Sequence, residues 1–227
     1  MKMKALILVL AFSSVVAVAQ KTETRSIGSF KGIKSGEAID VYLKKGDREA
    51  LKVETSGELE NVVTEISGSH LKIHLRNNSF FQGNNTVKVY VTYVALDFIS
   101  ASSASNVFSE GVIKTSSMEI HASSAADIEI SIEATDVRVS ASSAGDVTVE
   151  GTAKSINADA SSSGEVDAYA LQVETADASA SSAGSIKLNV SQGLDASASS
   201  GGSVRYRGNP QKTNTHSSSG GSVKKAN

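Results

Sequence analysis

The sequence contains no cysteine, no tryptophan and a single proline among its 227 residues. Without cysteine the chain can form no disulfide, no cysteine-ligated zinc site, no thiol nucleophile and no lipid anchor attached through cysteine. Aromatic residues make up only 5% of the chain, so a core has to be built mainly from alanine, valine and isoleucine. The 22 basic and 24 acidic residues nearly balance, which leaves no basic surface for nucleic acid.

The most apolar stretch of the chain lies at its N-terminus. Lys2 and Lys4 precede an apolar run over residues 5–16, and residues 17–19 read A-V-A, which matches a signal-peptidase cleavage site. The run is shorter than the roughly 20 residues that span a bilayer. We interpret residues 1–19 as a signal peptide and expect an exported protein, periplasmic, on the cell surface or secreted, with no membrane span after cleavage.

One phrase dominates the second half of the sequence. A segment of the form S-x-S-S-x-G-x-V recurs seven times at intervals of 18 to 21 residues. Between copies, apolar and polar residues alternate, as at Ile128, Ile130 and Ile132, which predicts strands with one buried face. Such units bury that face only by stacking on one another. The sequence therefore predicts an all-β fold, a parallel β-helix or β-solenoid with about 19 residues per coil.

The Ser-Ser pair of each copy is predicted to form one corner of its coil, because small side chains permit a sharp bend. Ala104 and Ala125 lie near the glycine position in the first two copies, so these two turns are expected to differ. The glycines that follow the pairs are expected at positive φ. They are Gly145, Gly164, Gly184, Gly201 and Gly220.

The chain divides into two parts after the leader. Residues 97–227 hold the Ser/Gly-rich solenoid repeats, and residues 20–96 form an N-terminal β section that begins the solenoid or packs against its end. Residues 35–41 (S-G-E-A-I-D-V) look like a degenerate copy of the repeated phrase. The N-terminal section also holds most of the aromatic residues, so a broader core and a cap are expected there.

The exported start, residues 30–41 and the S-x-S-S-x-G-x-V series together resemble the bacterial "putative auto-transporter adhesin, head GIN domain" family. The resemblance covers roughly residues 30–207, with a last coil that reaches Val223. It implies a β-helix similar in shape to pectin-lyase-like proteins, no known catalytic set, and a role in adhesion.

Two features are candidate binding sites. Stacking would bring the seventh position of the phrase into one column, Asn106, Asp127, Asp146 and Glu165. Carboxylates about 5 Å apart repel each other unless solvent or a cation lies between them, so this column is either a solvated acidic stripe or a calcium site. The second feature is the irregular loop around Phe80 and Phe81, which either contacts a partner or covers an open end of the core.

These observations favour a non-catalytic surface or periplasmic module that acts in adhesion or glycan binding through a repetitive polar face. No catalytic residue and no cofactor are predicted, apart from the weak calcium candidate, and the oligomeric state is not assigned. Two alternatives stay open. One is a pectin-lyase-like carbohydrate-active enzyme, which needs a local cluster of acids or bases. The other is a structural envelope protein that binds other proteins.

Overall fold

The computed structural model describes residues 20–76 and 85–226, which form an all-β solenoid of stacked, mainly parallel strands. This confirms the predicted fold class. The first nine strands are β1 (Lys21–Arg25), β2 (Gly32–Ser35), β3 (Ile39–Lys45), β4 (Ala50–Thr55), β5 (Val62–Ser67), β6 (His70–Leu75), β7 (Val87–Tyr93), β8 (Phe98–Ala101) and β9 (Asn106–Lys114). The remaining eight are β10 (Ser117–Ser123), β11 (Asp127–Ser142), β12 (Asp146–Ala160), β13 (Glu165–Ala180), β14 (Ser185–Ala198), β15 (Ser203–Arg207), β16 (Lys212–Ser217) and β17 (Ser222–Lys225). A single 3-10 turn, Leu59–Asn61, precedes β5.

Each central coil consists of one long strand that bends halfway along its length. Asp127, at the start of β11, pairs with Asp146 of β12, and Val137, in the second half of β11, pairs with Ile156. The first halves of β11–β14 lie in a post-corner sheet with β4, β7, β3, β9, β15 and β17. The second halves lie in a pre-corner sheet with β6, β2, β8, β10 and β16. A tight corner links the two sheets on one side, and the bend of the long strand links them on the other.

The interior between the two sheets is narrow and filled with small aliphatic side chains. Along β11, Ile128, Ile130 and Ile132 are buried while their neighbours point outward. Parallel pairing places each inward residue beside its equivalent in the next coil, so that Ile128 pairs in register with Val147. Burial of a valine or isoleucine side chain stabilises a fold by about 1.5–3 kcal/mol, and the in-register columns repeat this gain in every coil.

The N-terminal coils are stacked out of chain order. Strand β2 lies between β6 and β8, and β3 lies between β7 and β9. The chain first forms the β2–β3 coil and then the β6–β7 coil on one side of it. It then returns past the β2–β3 coil and forms β8 on the other side. The edge strands β1 and β5 pair antiparallel with β4 and β6. Residues 20–96 therefore supply both coils and edge strands, and the two sheets continue without a break into the repeats.

The corners are type I′ turns, in which two consecutive residues adopt positive φ. In the third repeat these residues are Ser143 (51°) and Ala144 (59°), and the amide of Gly145 donates to the carbonyl of Ser142 over 2.9 Å. The degenerate copy turns in the same way, at Glu37 and Ala38. Positive φ therefore falls on the second serine and the residue after it.

This geometry corrects the prediction for the first three corner glycines and confirms it for Gly201 and Gly220, which have φ of 76°. Gly145, Gly164 and Gly184 do not have positive φ. They are needed because the chain passes close to the previous coil: a Cβ on Gly145 would lie 2.6 Å from the carbonyl of Ala122. Ala104 and Ala125 lie one residue before the glycine position. They occupy the second positive-φ position, and the glycine position holds Ser105 and Ala126.

Candidate functional site

The predicted polar column runs along the outer face of the post-corner sheet, directly after the corners. Asp127 pairs in register with Asn106 on one side and with Asp146 on the other, and Asp146 pairs with Glu165. The structure thus brings the four candidate residues together as neighbours on successive strands. Asp40 extends the column, because it accepts a hydrogen bond from the Asn106 amide over 2.7 Å.

The surroundings of Asp127 and Asp146 in this column disfavour the charged form of their carboxyl groups. Partial burial raises the pKa of Asp146 above its ordinary value, and the negative charges of Glu165 and Asp127 raise it further. Burial likewise raises the pKa of Asp127. Within the described part of the chain, no group of three or more His, Asp or Glu side chains is arranged to hold a metal ion. A cation bound here would therefore need ligands besides carboxylates, such as the Asn106 amide oxygen, backbone carbonyls or water.

One lysine neutralises the C-terminal end of this acidic column. Lys187 Nζ donates to Glu165 Oε1 over 2.6 Å and to Asp167 Oδ2 over 2.9 Å. These contacts hold the pKa of Lys187 well above its ordinary value. Glu165 is thus paired, whereas Asp127 and Asp146 form no salt bridge with another described residue.

The other predicted contact site, Phe80 and Phe81, lies outside the described residues. Its role as a contact patch or as a cover for the core therefore stays a prediction.

Most described aromatic residues of the N-terminal coils lie in external columns, so they do not build the broader core that was expected there. Only Phe30 and Tyr93 of the described aromatic residues are buried. On the post-corner sheet, the Tyr42 ring stacks between Tyr90, at 5.2 Å, and Phe108, at 5.4 Å. Because these rings cover one another's faces, the column stabilises the sheet and offers mainly ring edges to a ligand.

A similar external column on the pre-corner sheet places Phe98 between His70 and His121, with centroid distances of 4.7 and 5.6 Å. Gly32 lies between His70 and Phe98 in the pairing order, and it leaves the space in which those two rings meet.

A long concave groove lies at the other edge of the molecule, where the long strands bend into the pre-corner sheet. This axial groove has a volume of about 710 Å³ and crosses six successive strands, β10 to β14 and β16. Two outward columns line it. The first is mostly small and consists of Ser117, Asp136, Ser155, Thr175, Gly193 and Lys212; the second is longer and consists of Arg138, Asn157, Asp177, Asp195 and Asn214.

Several polar groups of the axial groove have no partner within the described chain. Ser155 Oγ donates to Asp136 over 2.6 Å, and Asn214 donates to Asp195 over 3.0 Å. In contrast, the side chains of Arg138, Asn157 and Asp177 form no hydrogen bond or ion pair with another described residue. The groove therefore presents free donors and acceptors at regular axial intervals. The positions that line the groove recur at the coil period, so the sequence could have indicated that they share a column. Their residue types vary, however, and no repeated motif marks them as a site.

Residues 20–76 and 85–226 include no helix with the length and apolarity to cross a membrane.

Comparisons with known proteins agree with the architecture. The sequence model of the "putative auto-transporter adhesin, head GIN domain" family matches residues 29–210, most of the chain. None of the functionally curated proteins matches it. Neither the family description nor the similar structures below name a catalytic activity.

Solved structures share the fold at low sequence identity. A "putative adhesin" from Bacteroides fragilis has a TM-score of 0.81 and 19% identity, and the match covers 92% of this chain and 98% of that one. A second from Parabacteroides distasonis has a TM-score of 0.71 and 17% identity, covering 92% and 97%. A "putative lipid binding protein" from the same species has a TM-score of 0.65 and 22% identity, with the same coverage. At this identity the likeness concerns the fold.

Proposed function

The chain belongs to the "putative auto-transporter adhesin, head GIN domain" family, and we propose that it is an exported, non-catalytic adhesion module that binds glycans through the polar outer surface of its solenoid. The family suggests an extracellular or surface protein. The signal-peptide pattern of residues 1–19 supports export.

The observation that carries the proposal is the alignment of polar side chains in columns along a rigid axis. Parallel pairing holds equivalent residues of successive coils about 4.8 Å apart, as with Asn157 and Asp177. Serine, threonine, asparagine and aspartate together supply both hydrogen-bond donors and acceptors. A rigid ladder of such groups suits a ligand whose hydroxyls also repeat along a chain, because the protein loses little conformational entropy on binding.

A hydrolytic role is less well supported, although the axial groove contains neighbouring carboxylates. Asp177 and Asp195 pair in register, and paired carboxylates are the minimum equipment of a glycosidase. Both side chains are exposed, whereas a carboxyl group becomes a general acid through burial in an apolar setting. We therefore expect a bound polysaccharide to be released intact.

The acidic column remains a candidate contributor to binding. Asn106, Asp127, Asp146 and Glu165 present oxygen ligands on one face, and a calcium ion between Asp127 and Asp146 would relieve their repulsion. In that case glycan binding would depend on calcium.

The test is binding of the purified protein to an array of neutral, acidic and amino glycans, with calcium and with a chelator. We expect reproducible binding to one glycan class and no shortening of the bound polysaccharide on prolonged incubation. A requirement for calcium would assign the acidic column to the site. An array without binding would contradict the proposal and would favour the structural alternative, in which crosslinking followed by pull-down should recover envelope proteins.

A further inference from the structure

We propose that the axial groove is the glycan-binding site of this protein and that its ligand is an extended, neutral, linear polysaccharide lying along the solenoid axis. The inference rests on the proposed function and goes further, because it chooses one surface and one class of ligand.

The dimensions of the groove favour a polymer. The groove crosses six successive strands and has a volume of about 710 Å³, which is within the range of small-molecule binding sites but spread along the axis. Equivalent groups recur every 4.8 Å or so, which is close to the length of one pyranose unit in an extended chain. Successive sugar units would therefore meet equivalent positions of successive coils.

The unpartnered groups match the hydroxyl chemistry of sugars. Asp177 can accept hydrogen bonds from two neighbouring hydroxyls, Asn157 can both donate and accept, and Arg138 can donate. These three residues occupy adjacent strands in one column and have no hydrogen bond or ion pair within the described chain.

The charge of the groove favours a neutral ligand. Asp136, Asp177 and Asp195 supply three negative charges, and Arg138 and Lys212 supply two positive ones. The three carboxylates would repel an acidic polysaccharide, and the two cations would repel an amino polysaccharide. Hydroxyl groups can pair with both kinds of side chain without cost from like-charge contact.

Gly193 gives the most selective means of testing the groove. A Cβ at this position would have only an ordinary contact, 3.6 Å from Thr175 Cγ2, and Gly193 does not have positive φ. A large side chain can therefore be introduced without backbone strain. Gly193→Phe would place a ring in the groove on the fifth of its six strands, between Thr175 and Lys212 in the pairing order.

The experiment measures affinity for a series of linear neutral oligosaccharides of increasing length, such as cello-, xylo- and manno-oligosaccharides, after an array with the wild-type protein. We expect affinity to rise with length up to about six units, one per strand that lines the groove. Asp177→Ala and Gly193→Phe should each lower affinity at least tenfold. Glu129→Ala, which removes an exposed carboxylate from the post-corner sheet, should leave affinity unchanged. Equal thermal unfolding midpoints will establish that the variants are folded.

The possible outcomes separate the two claims. If the wild-type protein binds no glycan on the array, the proposed function fails, and this inference fails with it. If it binds only acidic or amino glycans, the ligand class is wrong. If both groove variants bind like the wild type, while the triple variant Asp127→Ala/Asp146→Ala/Glu165→Ala loses binding, the site lies on the acidic column. Adhesion by glycan binding would then stand without the groove.

Discussion

The two edges of the solenoid are built on different principles. At the corner edge, each coil repeats nearly the same residues, and the turns are hydrogen-bonded to one another: the amide of Ala144, for example, donates to the carbonyl of Ser162 in the next coil over 3.1 Å. At the bend edge, equivalent positions hold residues as different as Asp136, Ser155 and Gly193. The corner edge is uniform in sequence, and the bend edge is variable.

The difference shows which regularities are structural. A type I′ turn puts two residues at positive φ in every coil, and close approach to the previous coil excludes a side chain at Gly145, Gly164 and Gly184. The turn recurs in every coil, so small residues recur at the corner. The bend is formed within a continuous strand, and register shifts along β9, β12, β13 and β14 absorb the variation in coil length. Its outward residues are thus free to differ and to serve binding.

The largest effect is expected from a methyl group placed at the corner. Gly145→Ala brings a Cβ to within 2.6 Å of the Ala122 carbonyl, so the coils must shift apart. Overpacking of this kind costs about 1–3 kcal/mol. Chemical denaturation should show that loss in the free energy of unfolding, with little change in secondary structure by circular dichroism.

The matched variant is Gly193→Ala at the bend edge, where the new Cβ would have an ordinary contact. Its free energy of unfolding should stay within about 0.5 kcal/mol of the wild type or rise slightly. Equal losses at the two edges would contradict the view that only the corner is sterically constrained.

A smaller effect of opposite sign is expected at the second position of the turn. Ala144 has a φ of 59°, whereas the last two corners use Gly201 and Gly220 at the equivalent place. The left-handed conformation costs a non-glycine residue about 1–2 kcal/mol, and glycine removes this cost. Part of the resulting gain in stability is lost because glycine has more conformational entropy in the unfolded chain. Ala144→Gly should therefore stabilise the protein by about 0.5–1 kcal/mol, measured by chemical denaturation.

The control for this substitution is Ala134→Gly, within β11 and without positive φ. It should destabilise by roughly 0.5–1 kcal/mol, as glycine does inside a strand. If both variants lose stability, the positive φ at Ala144 is not a source of strain.

The repeats make most of the fold predictable from the sequence. The period of the S-x-S-S-x-G-x-V phrase and the alternation around Ile128 fix the coil length, the inward face and the position of the corner, because they reflect local steric demands. The reversed order of the N-terminal coils was not predictable, since it depends on β2 pairing with both β6 and β8. The outward position of Tyr42 and Tyr90 was also not predicted, although their alternation with the buried residues Val41 and Val89 indicates it.

The candidate site was only partly predictable for a related reason. The column of Asp127, Asp146 and Glu165 follows directly from the repeat, because its residues keep the same chemical character from coil to coil. The axial groove brings together unlike residues, such as Arg138 with Asn157 and Asp177, and has no repeated signature. It becomes visible only when the register of the strands is known.

The smallest effect concerns charge beside the corner, where the repeat places like charges in one column. The pKa of Asp146 is raised in the folded protein by burial, then by Glu165 and Asp127. Between its ordinary value of 3.8 and this raised value, the folded state binds more protons than the unfolded state. The free energy of unfolding thus falls as pH rises through that interval, and the ionised Asp146 remains unfavourable at neutral pH.

Asp146→Asn should therefore stabilise the protein at pH 7, by about 0.2–1 kcal/mol, as expected for removing a like charge from adjacent strands. The gain should vanish as the pH falls below about 3.8, because the wild-type carboxyl is then neutral in both states. Chemical denaturation of the wild type and the variant at neutral and acidic pH measures this difference in the free energy of unfolding. The control Asp47→Asn, at an exposed position away from the column, should leave the free energy of unfolding unchanged at both pH values. A gain that is equal at both pH values would mean that hydrogen bonding by the amide, rather than relief of repulsion, stabilises the variant.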